Sequence, residues 1–481
     1  MHIAVDIGAS SGRLVTGELK EGKLVIQEIH RFANGYQKQG AYQCWDIDHL
    51  EEQILRGLQI AKRQGIQSCT LGIDTWAVDY VLLGKDGERL REVIAYRDSR
   101  TDDVMEQVWK TVPKHDIYRK TGIQFQPFNT IYQLFTENEE LIGRTETVLL
   151  VPDYLHYRLT GKKVMEATNA STMQLFDPLT RDFDEDLLAL TSFQSKQFAP
   201  LVEAGTVIGE IKGTLQKQYD LPACTVIAVG SHDTASAIAG VPAAGEGWAY
   251  LSSGTWSLIG TERSEPILDD SSLDKNFTNE WGINKTYRYL KNIIGMWMIQ
   301  EIRRLYPVDY NFGEMAEEAS RTDLKQVPSI DLNDPRFLKP ANMIEELQDY
   351  CRETDQYVPT NIGELGLTVY HNLAMLYSEA LEELELLTGT SIRTLHIVGG
   401  GSQNQVLNQL TADYSGLQVI TGPTEATALG NLIVQIIAAG ELDSLEAGRQ
   451  LIRSSFPVRT YLPADQGLLD KERRRIHDSK S

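Results

Sequence analysis

The sequence predicts an α/β protein of two similar domains, residues 1–243 and 244–481. Three observations predict it. The chain is long enough for two large cores, at roughly 100–200 residues per domain. Each half opens with short strands turned on glycines and continues into mixed α/β. Near the end, strand Thr394–Val398, the loop Gly399-Gly400-Gly401, a helix over 404–414 and a strand over 417–420 spell a βαβ unit.

In chain order, residues 2–6, 13–19 and 23–31 read as three strands. The turns Gly8 to Gly12 and Glu21-Gly22 separate them, as in an antiparallel meander. A helix follows. Asp48 is expected to cap it with Glu51 in a capping box, Leu50, Ile54, Leu58 and Ala61 form its apolar stripe, and Gly65 stops it. Residues 68–74 read as a strand, leading to a hairpin that turns at Asp86-Gly87 and reaches Leu90. Residues 101–195 read as mostly helical and polar, an insertion that would shape a substrate pocket. A strand over 224–229 leads into Gly230-Ser231-His232-Asp233, and a helix is expected over 234–239. The small, turn-rich segment Val241 to Gly247 marks the domain boundary. Strands over 248–252 and 256–262 then flank the turn Ser253-Gly254-Thr255. A long helix is expected over 366–387, with Leu367, Tyr370, Leu373, Ala374, Tyr377, Leu381 and Leu384 on its apolar stripe and Gly389 closing it. A further helix starts near Glu425.

Composition narrows the function classes. Forty-six Lys and Arg against 67 Asp and Glu leave a net charge of −21. A nucleic-acid binder needs a basic footprint. The run Lys471-Glu472-Arg473-Arg474-Arg475 is the one candidate, and it reads better as a solvated helix end. Cys44, Cys69, Cys224 and Cys351 stand far apart, without CxxC or zinc spacing, as expected of a chain in a reducing compartment. Neither a signal peptide nor an apolar run of about 18 residues is visible, so a cytoplasmic, membrane-free protein is expected.

Four segments carry chemistry. In Asp6-Ile7-Gly8-Ala9-Ser10-Ser11-Gly12-Arg13 an acidic residue ends a strand, small residues turn, and a cation follows. Such a turn lets backbone N–H groups approach a phosphate, although a plain β-turn has the same composition. Ser252-Ser253-Gly254-Thr255 repeats the chemistry in the second half, and two such loops suit a polyphosphate. Gly399-Gly400-Gly401 permits close approach of a ring or ribose, but it is no dinucleotide fingerprint, because Asn404 stands where the third glycine would fall. No GxxxxGK[ST] loop and no HRD/DFG set occur. Ser231-His232-Asp233-Thr234 sits at the C-terminal edge of a strand, where open α/β sheets place ligands. Asp233 reads equally as a base or as a helix N-cap. His232 has no metal partner by spacing. Trp45, Trp76, Tyr96, Phe125, Phe128 and Trp297 recur near polar groups; most belong to a core, and one or two suit a sugar pocket.

In this order these segments resemble the FGGY carbohydrate kinases, through "DIGASSGR", "GIDTWAVDYVLL", "AYRDSRT", "GIQFQPFNT", "PDYLHYRLTGK", "SHDTASA", "YLSSGTWSLIG", "LKNIIGMW" and "LHIVGGGSQN". The resemblance spans residues 6 to 404. It implies two actin-like (ribonuclease H-like) domains with a cleft between them. The first would be mainly sugar-binding and carry the base; the second would be mainly nucleotide-binding. It implies transfer of the γ-phosphoryl group of ATP to O1 of a ketose, with Mg²⁺. Carried over residue by residue, Ala9, Ser10, Ser11, Gly12 and Arg13 would hold ATP phosphates, with Thr255, Gln300 and Gly400 also facing the nucleotide. Ala77, His232, Asp233, Thr234 and Asn292 would face the sugar, Asp233 as proton acceptor, and Asp6 would hold Mg²⁺ through water. Two positions depart from the family's patterns: Ala9 stands where members generally carry Thr, and Ala77 where the pattern has Gly. Cys351 matches, but a cysteine expected near Tyr370 is absent, so no disulfide is implied. The rival readings are another sugar or polyol kinase of the family, such as a xylulokinase or fuculokinase, an actin- or chaperone-type ATPase, and an inactive sugar-binding regulator.

Overall fold

The computed structural model describes residues 1–338 and 340–464; the basic run at 471–475 lies outside them. Two compact units form. The first takes Met1–Pro242, Glu262–Leu290 and Ala426–Ser455, and the second takes Ala243–Thr261, Lys291–Glu425 and the chain from Phe456.

The first unit is built on a six-stranded sheet in the order Val207–Glu210, Ala223–Ile227, Ser68–Thr75, His2–Ile7, Ser11–Lys20, Lys23–Ala33. The meander read from the sequence is its antiparallel end, in register Asp6↔Arg13 and Leu19↔Leu24. Strand His2–Ile7 pairs parallel with Ser68–Thr75, which sets Asp6 beside Asp74. These inner strands are buried along most of their length, as strands covered on both faces must be.

The helix that follows the meander is Ile47–Arg63, and its cap is Asp46, not Asp48. The Asp46 carboxylate accepts from the His49 N–H at 2.9 Å, and no capping box forms. Leu50, Ile54, Leu58 and Ala61 are all buried on the expected stripe. The turn at Asp86-Gly87 forms as expected: Gly87 has φ +80°, and Leu90 N–H returns to Leu82 O at 2.9 Å. Residues 101–195 are less regular than expected. Helices of six to ten residues, such as Val104–Trp109, Thr130–Phe135 and Val151–Thr160, alternate with short strands. One of these, Thr147–Leu150, pairs with Tyr80–Leu83.

Helix Asp233–Ala239 packs backbone to backbone against helix Ala426–Ala438 of the same unit. Glycines make this possible. A Cβ on Gly430 would lie 1.8 Å from Ser236 O, and one on Gly240 would lie 2.1 Å from Ala426 O. The Asp233 helix is thereby locked onto the sheet.

The second unit repeats the plan. Strands Trp248–Ser253 and the antiparallel Trp256–Arg263 form the hairpin; Thr394–Val398 and Gln418–Thr421 continue parallel; Arg459–Tyr461 closes antiparallel. The long helix is Ile362–Thr388, capped by Asn361 with Glu364 in a capping box and closed by Gly389 at φ +64°. It starts four residues earlier than its apolar stripe suggested, because the cap signal sits at Asn361. No described helix is long and apolar enough to cross a membrane. The four cysteines are buried and free.

Candidate active site

In the first unit the carboxylates converge at the strand ends. Asp6 and Arg13 are cross-strand partners, and the guanidinium donates to one carboxylate oxygen at 3.0 Å from Nε and 2.8 Å from Nη2. The turn between them is held by Gly8 N–H to Ser11 O at 2.9 Å, by Asn34 N–H to Ser10 O at 3.0 Å and by the Asn34 amide to Gly8 O at 2.7 Å. Ser10 is exposed, while Ala9 and Ser11 are half-buried. Gly12 has a packing reason of its own: a Cβ there would lie 2.2 Å from the Phe32 ring.

Asp74, on the next strand, was not singled out by the sequence. It is fully buried and receives the Asn431 amide at 2.6 Å. Burial first, and the charge of Asp6 second, hold its carboxyl well above the usual range.

Asp233 is the first residue of its helix, and His232 occupies the cap position without a side-chain cap bond. The capping role left open by the sequence therefore does not fall to Asp233. Its side chain keeps 35% of its exposure. The Thr234 hydroxyl reaches it at 3.2 Å and His232 Nε2 lies 3.4 Å away. Burial raises its pKa, His232 opposes that rise, and Asp6 adds to it. A carboxylate shifted toward neutrality with room beside it can accept a proton from a hydroxyl.

A second carboxylate missed by the sequence reading holds this segment. Glu166 accepts from Ser231 N–H at 3.0 Å, the Ser231 hydroxyl at 2.7 Å and the Thr168 hydroxyl at 2.6 Å. The Ser231 carbonyl in turn accepts from Thr75 N–H at 2.9 Å, tying the Asp233 segment to the end of the Ser68–Thr75 strand.

Ala77 lies just beyond that strand. Asp79 N–H returns to Ala77 O at 2.9 Å around Val78, whose φ is +68°. This is a γ-turn of the rare, positive-φ kind, strained for a β-branched residue. Ala77 itself has no positive φ, so its methyl group costs the backbone nothing. Asp79 is buried beneath the turn. Trp45 lies tilted against Trp76 at 4.1 Å, 6.3 Å from Tyr96, and Tyr96 meets Phe128 at 5.3 Å, so four of the aromatics form one cluster beside it. Phe125 packs elsewhere, on Trp109.

The second unit gathers the remaining residues. The Thr255 hydroxyl donates to the Gln300 side chain at 3.3 Å, from the hairpin turn to helix Trp297–Leu305. Met296 N–H donates to Gly254 O at 2.9 Å. The glycine loop lies against the same hairpin: a Cβ on Gly399 would come within 2.8 Å of Ser253 O, and one on Gly401 within 1.9 Å of Ser253 Oγ. Gly400 faces open space, with nothing within 4 Å of a Cβ. Of the three glycines it alone leaves room for a ligand. Asn292 is on strand Tyr287–Ile294, half-buried. Trp297 starts the Gln300 helix.

The donor set at Asp6 suits a hard cation, which takes oxygen ligands and, in the case of Mg²⁺, keeps several waters. No group of three metal-binding side chains occurs among the described residues.

The fold and site define a phosphotransferase acting on sugars, and the chain belongs to the FGGY family of carbohydrate kinases. The N-terminal domain of that family matches residues 1–240 and the C-terminal domain residues 249–439. Among curated proteins, one named Rhamnulokinase from Bacillus subtilis (strain 168) is 54% identical over 97% of this chain and 96% of its own length. Another of that name, from Lactiplantibacillus plantarum, is 48% identical over 100% of this chain and 99% of its own. A solved gluconate kinase from Lactobacillus acidophilus shares the fold, with a TM-score of 0.78 at 17% identity over 98% of this chain and 95% of that one.

Proposed function

We propose that this kinase moves the γ-phosphoryl group of ATP to O1 of L-rhamnulose, giving L-rhamnulose 1-phosphate and ADP in the breakdown of L-rhamnose. The observation that carries the reading is the 54% identity, over nearly the whole of both chains, to a protein named for that substrate.

In this reading Asp233 removes the proton from the attacking hydroxyl, and the Thr234 hydroxyl and His232 ring orient its carboxylate. Phosphoryl transfer asks mainly for positioning and charge stabilisation. Arg13 and the backbone N–H groups of Ala9, Ser10, Ser11 and Gly12 would meet the phosphates. Arg13 would then exchange part of its pairing with Asp6 for a phosphoryl oxygen. Asp6 would hold Mg²⁺ through water; when bound, the ion supplies positive charge to the phosphates. Thr255, Gln300 and Gly400 would face the nucleotide, and Ala77, His232, Thr234 and Asn292 the sugar. The first unit thus carries mainly the sugar and the base, the second mainly the nucleotide. Four free, buried cysteines suit the reducing cytoplasm.

ADP formation with a panel of acceptors tests this reading. L-Rhamnulose gives the highest kcat/KM, and ATP alone gives almost no turnover. A clear lead for L-fuculose, D-xylulose or glycerol would move the protein to another branch of the family. Turnover without any sugar would point to an ATPase.

A further inference from the structure

Behind His232, away from Asp233, stands a buried ion pair outside the segments singled out in the sequence. Glu280 and Arg288 face each other directly on the antiparallel strands Thr278–Trp281 and Tyr287–Ile294. Arg288 Nη2 is 2.9 Å from Glu280 Oε2. Arg288 has 1% of its side chain exposed and Glu280 has 10%. Two charges in the core are costly unless they are paired, and a pair placed there is weak as a device for stability alone.

Both groups converge on one ring nitrogen. Arg288 Nη2 lies 3.1 Å and Glu280 Oε2 3.3 Å from His232 Nδ1. The opposite nitrogen, Nε2, faces the Asp233 carboxylate at 3.4 Å. A guanidinium has donors and no acceptor, and of the two groups at Nδ1 it is Arg288 that meets the ring with hydrogen-bond geometry while Glu280 Oε2 takes no hydrogen bond, so Arg288 makes Nδ1 the acceptor. The ring of a neutral histidine then carries its proton on Nε2, the nitrogen that faces Asp233. Glu280 holds Arg288 in that pose and cancels its charge, which leaves the negative charge of Asp233 available to the reaction. Arg288 is further fixed by Nε donating to Trp281 O at 3.1 Å.

We propose that Glu280 and Arg288 are positioning residues for the phosphoryl-transfer step, acting through His232 to fix the ring proton on Nε2 and thereby aim the Asp233 carboxylate at the sugar hydroxyl. The proposal rests on the reading of Asp233 as the base. Glu280 retains its charge for this purpose: the Arg288 guanidinium beside it outweighs burial and lowers the pKa of its carboxyl.

The test uses the full chain with its best acceptor and follows kcat, both KM values and the melting temperature. Glu280→Gln lowers kcat about 10–100-fold, the size of effect that misplacing a reacting group produces, while KM for ATP stays the same. In a His232→Ala background the same substitution costs no further kcat, because the path to Asp233 is already cut. Since Glu280→Gln strands a buried cation, the paired replacement Glu280→Met with Arg288→Met serves as the second variant. It removes both charges and the donor to Nδ1, so the melting temperature recovers while kcat stays low. An equal loss from Glu280→Gln in both backgrounds, or kcat that recovers together with the melting temperature in the Met pair, would overturn the proposal. So would an unchanged kcat in Glu280→Gln. Asp233→Asn in the same assay separates the two levels: if it is impaired and the Glu280 variants are normal, only this inference fails, and if it is normal, the base reading fails first.

Discussion

Asp79 and Asp233 are both carboxylates whose pKa is raised by burial in the same unit, yet they are built in opposite ways. Asp79 is 1% exposed and saturated with donors: Trp45 Nε1 at 2.6 Å, Trp76 Nε1 at 2.9 Å and Tyr96 N–H at 3.1 Å on one oxygen, Gln133 Nε2 at 3.0 Å on the other. Asp233 keeps a third of its exposure and has the Thr234 hydroxyl and the His232 ring beside it. The difference teaches what each is for. A carboxylate whose lone pairs are filled by fixed N–H groups braces a loop, here the strained turn at Val78. A carboxylate held by few partners at an open edge keeps an acceptor for a proton that arrives with the substrate.

The largest effect follows from removing the open carboxylate. Asp233→Asn keeps the shape and loses the acceptor, so kcat falls about 10²–10⁴-fold. The melting temperature changes little, since His232 and not Asp233 occupies the cap position and Asn can still accept from the Thr234 N–H. A near-normal kcat would erase the contrast with Asp79 and make both residues structural.

Asp79→Asn moves stability instead. The pKa of Asp79 rises from 3.8 to about 6, because burial outweighs its four donors. A raised carboxyl binds its proton more tightly in the folded chain than in the unfolded one. Its contribution is therefore complete at low pH and is lost as pH climbs from about 4 through 6. At about 1.4 kcal/mol per pKa unit, that loss is about 3 kcal/mol. Asn cannot titrate, so urea unfolding at pH 4 and pH 7 shows the stability gap between wild type and variant shrinking by about that amount as pH rises. A gap that stays constant would mean that Asp79 does not titrate in the fold.

A smaller effect is expected in the second unit, where Thr255 and Gln300 form an exposed, neutral pair. One such hydrogen bond is worth about 0.5–1.5 kcal/mol, so Thr255→Ala lowers kcat/KM for ATP by roughly two- to twelve-fold, with the melting temperature unchanged. An unaltered kcat/KM would take Thr255 out of the nucleotide site.

The same contrast explains which parts of the molecule could be read in the sequence. The meander, the strand Thr394–Val398 and the closure of the long helix at Gly389 were legible because glycines and apolar periodicity signal within a few residues. Asp46 was misassigned to Asp48 because two good caps stand two residues apart, and only backbone geometry chooses between them. Asp233 and the turn from Asp6 to Arg13 stood out as polar residues at strand ends. Their supports did not. Glu166 reaches Ser231 across 65 positions, and Arg288 reaches His232 across 56, so neither contact has a local signature. A weak signal existed at Glu280 and Arg288, charged residues set among buried neighbours in two adjacent strands, where a charge must find a partner.

The account as a whole rests on where the phosphoryl group goes. Wild-type protein incubated with ATP, Mg²⁺ and L-rhamnulose, and followed by phosphorus and carbon NMR, answers that directly. The predicted result is one ADP for each sugar phosphate formed, with the phosphorus coupled to the C1 carbon of L-rhamnulose. Phosphate on another carbon, or ADP released with inorganic phosphate and no sugar phosphate, would contradict it.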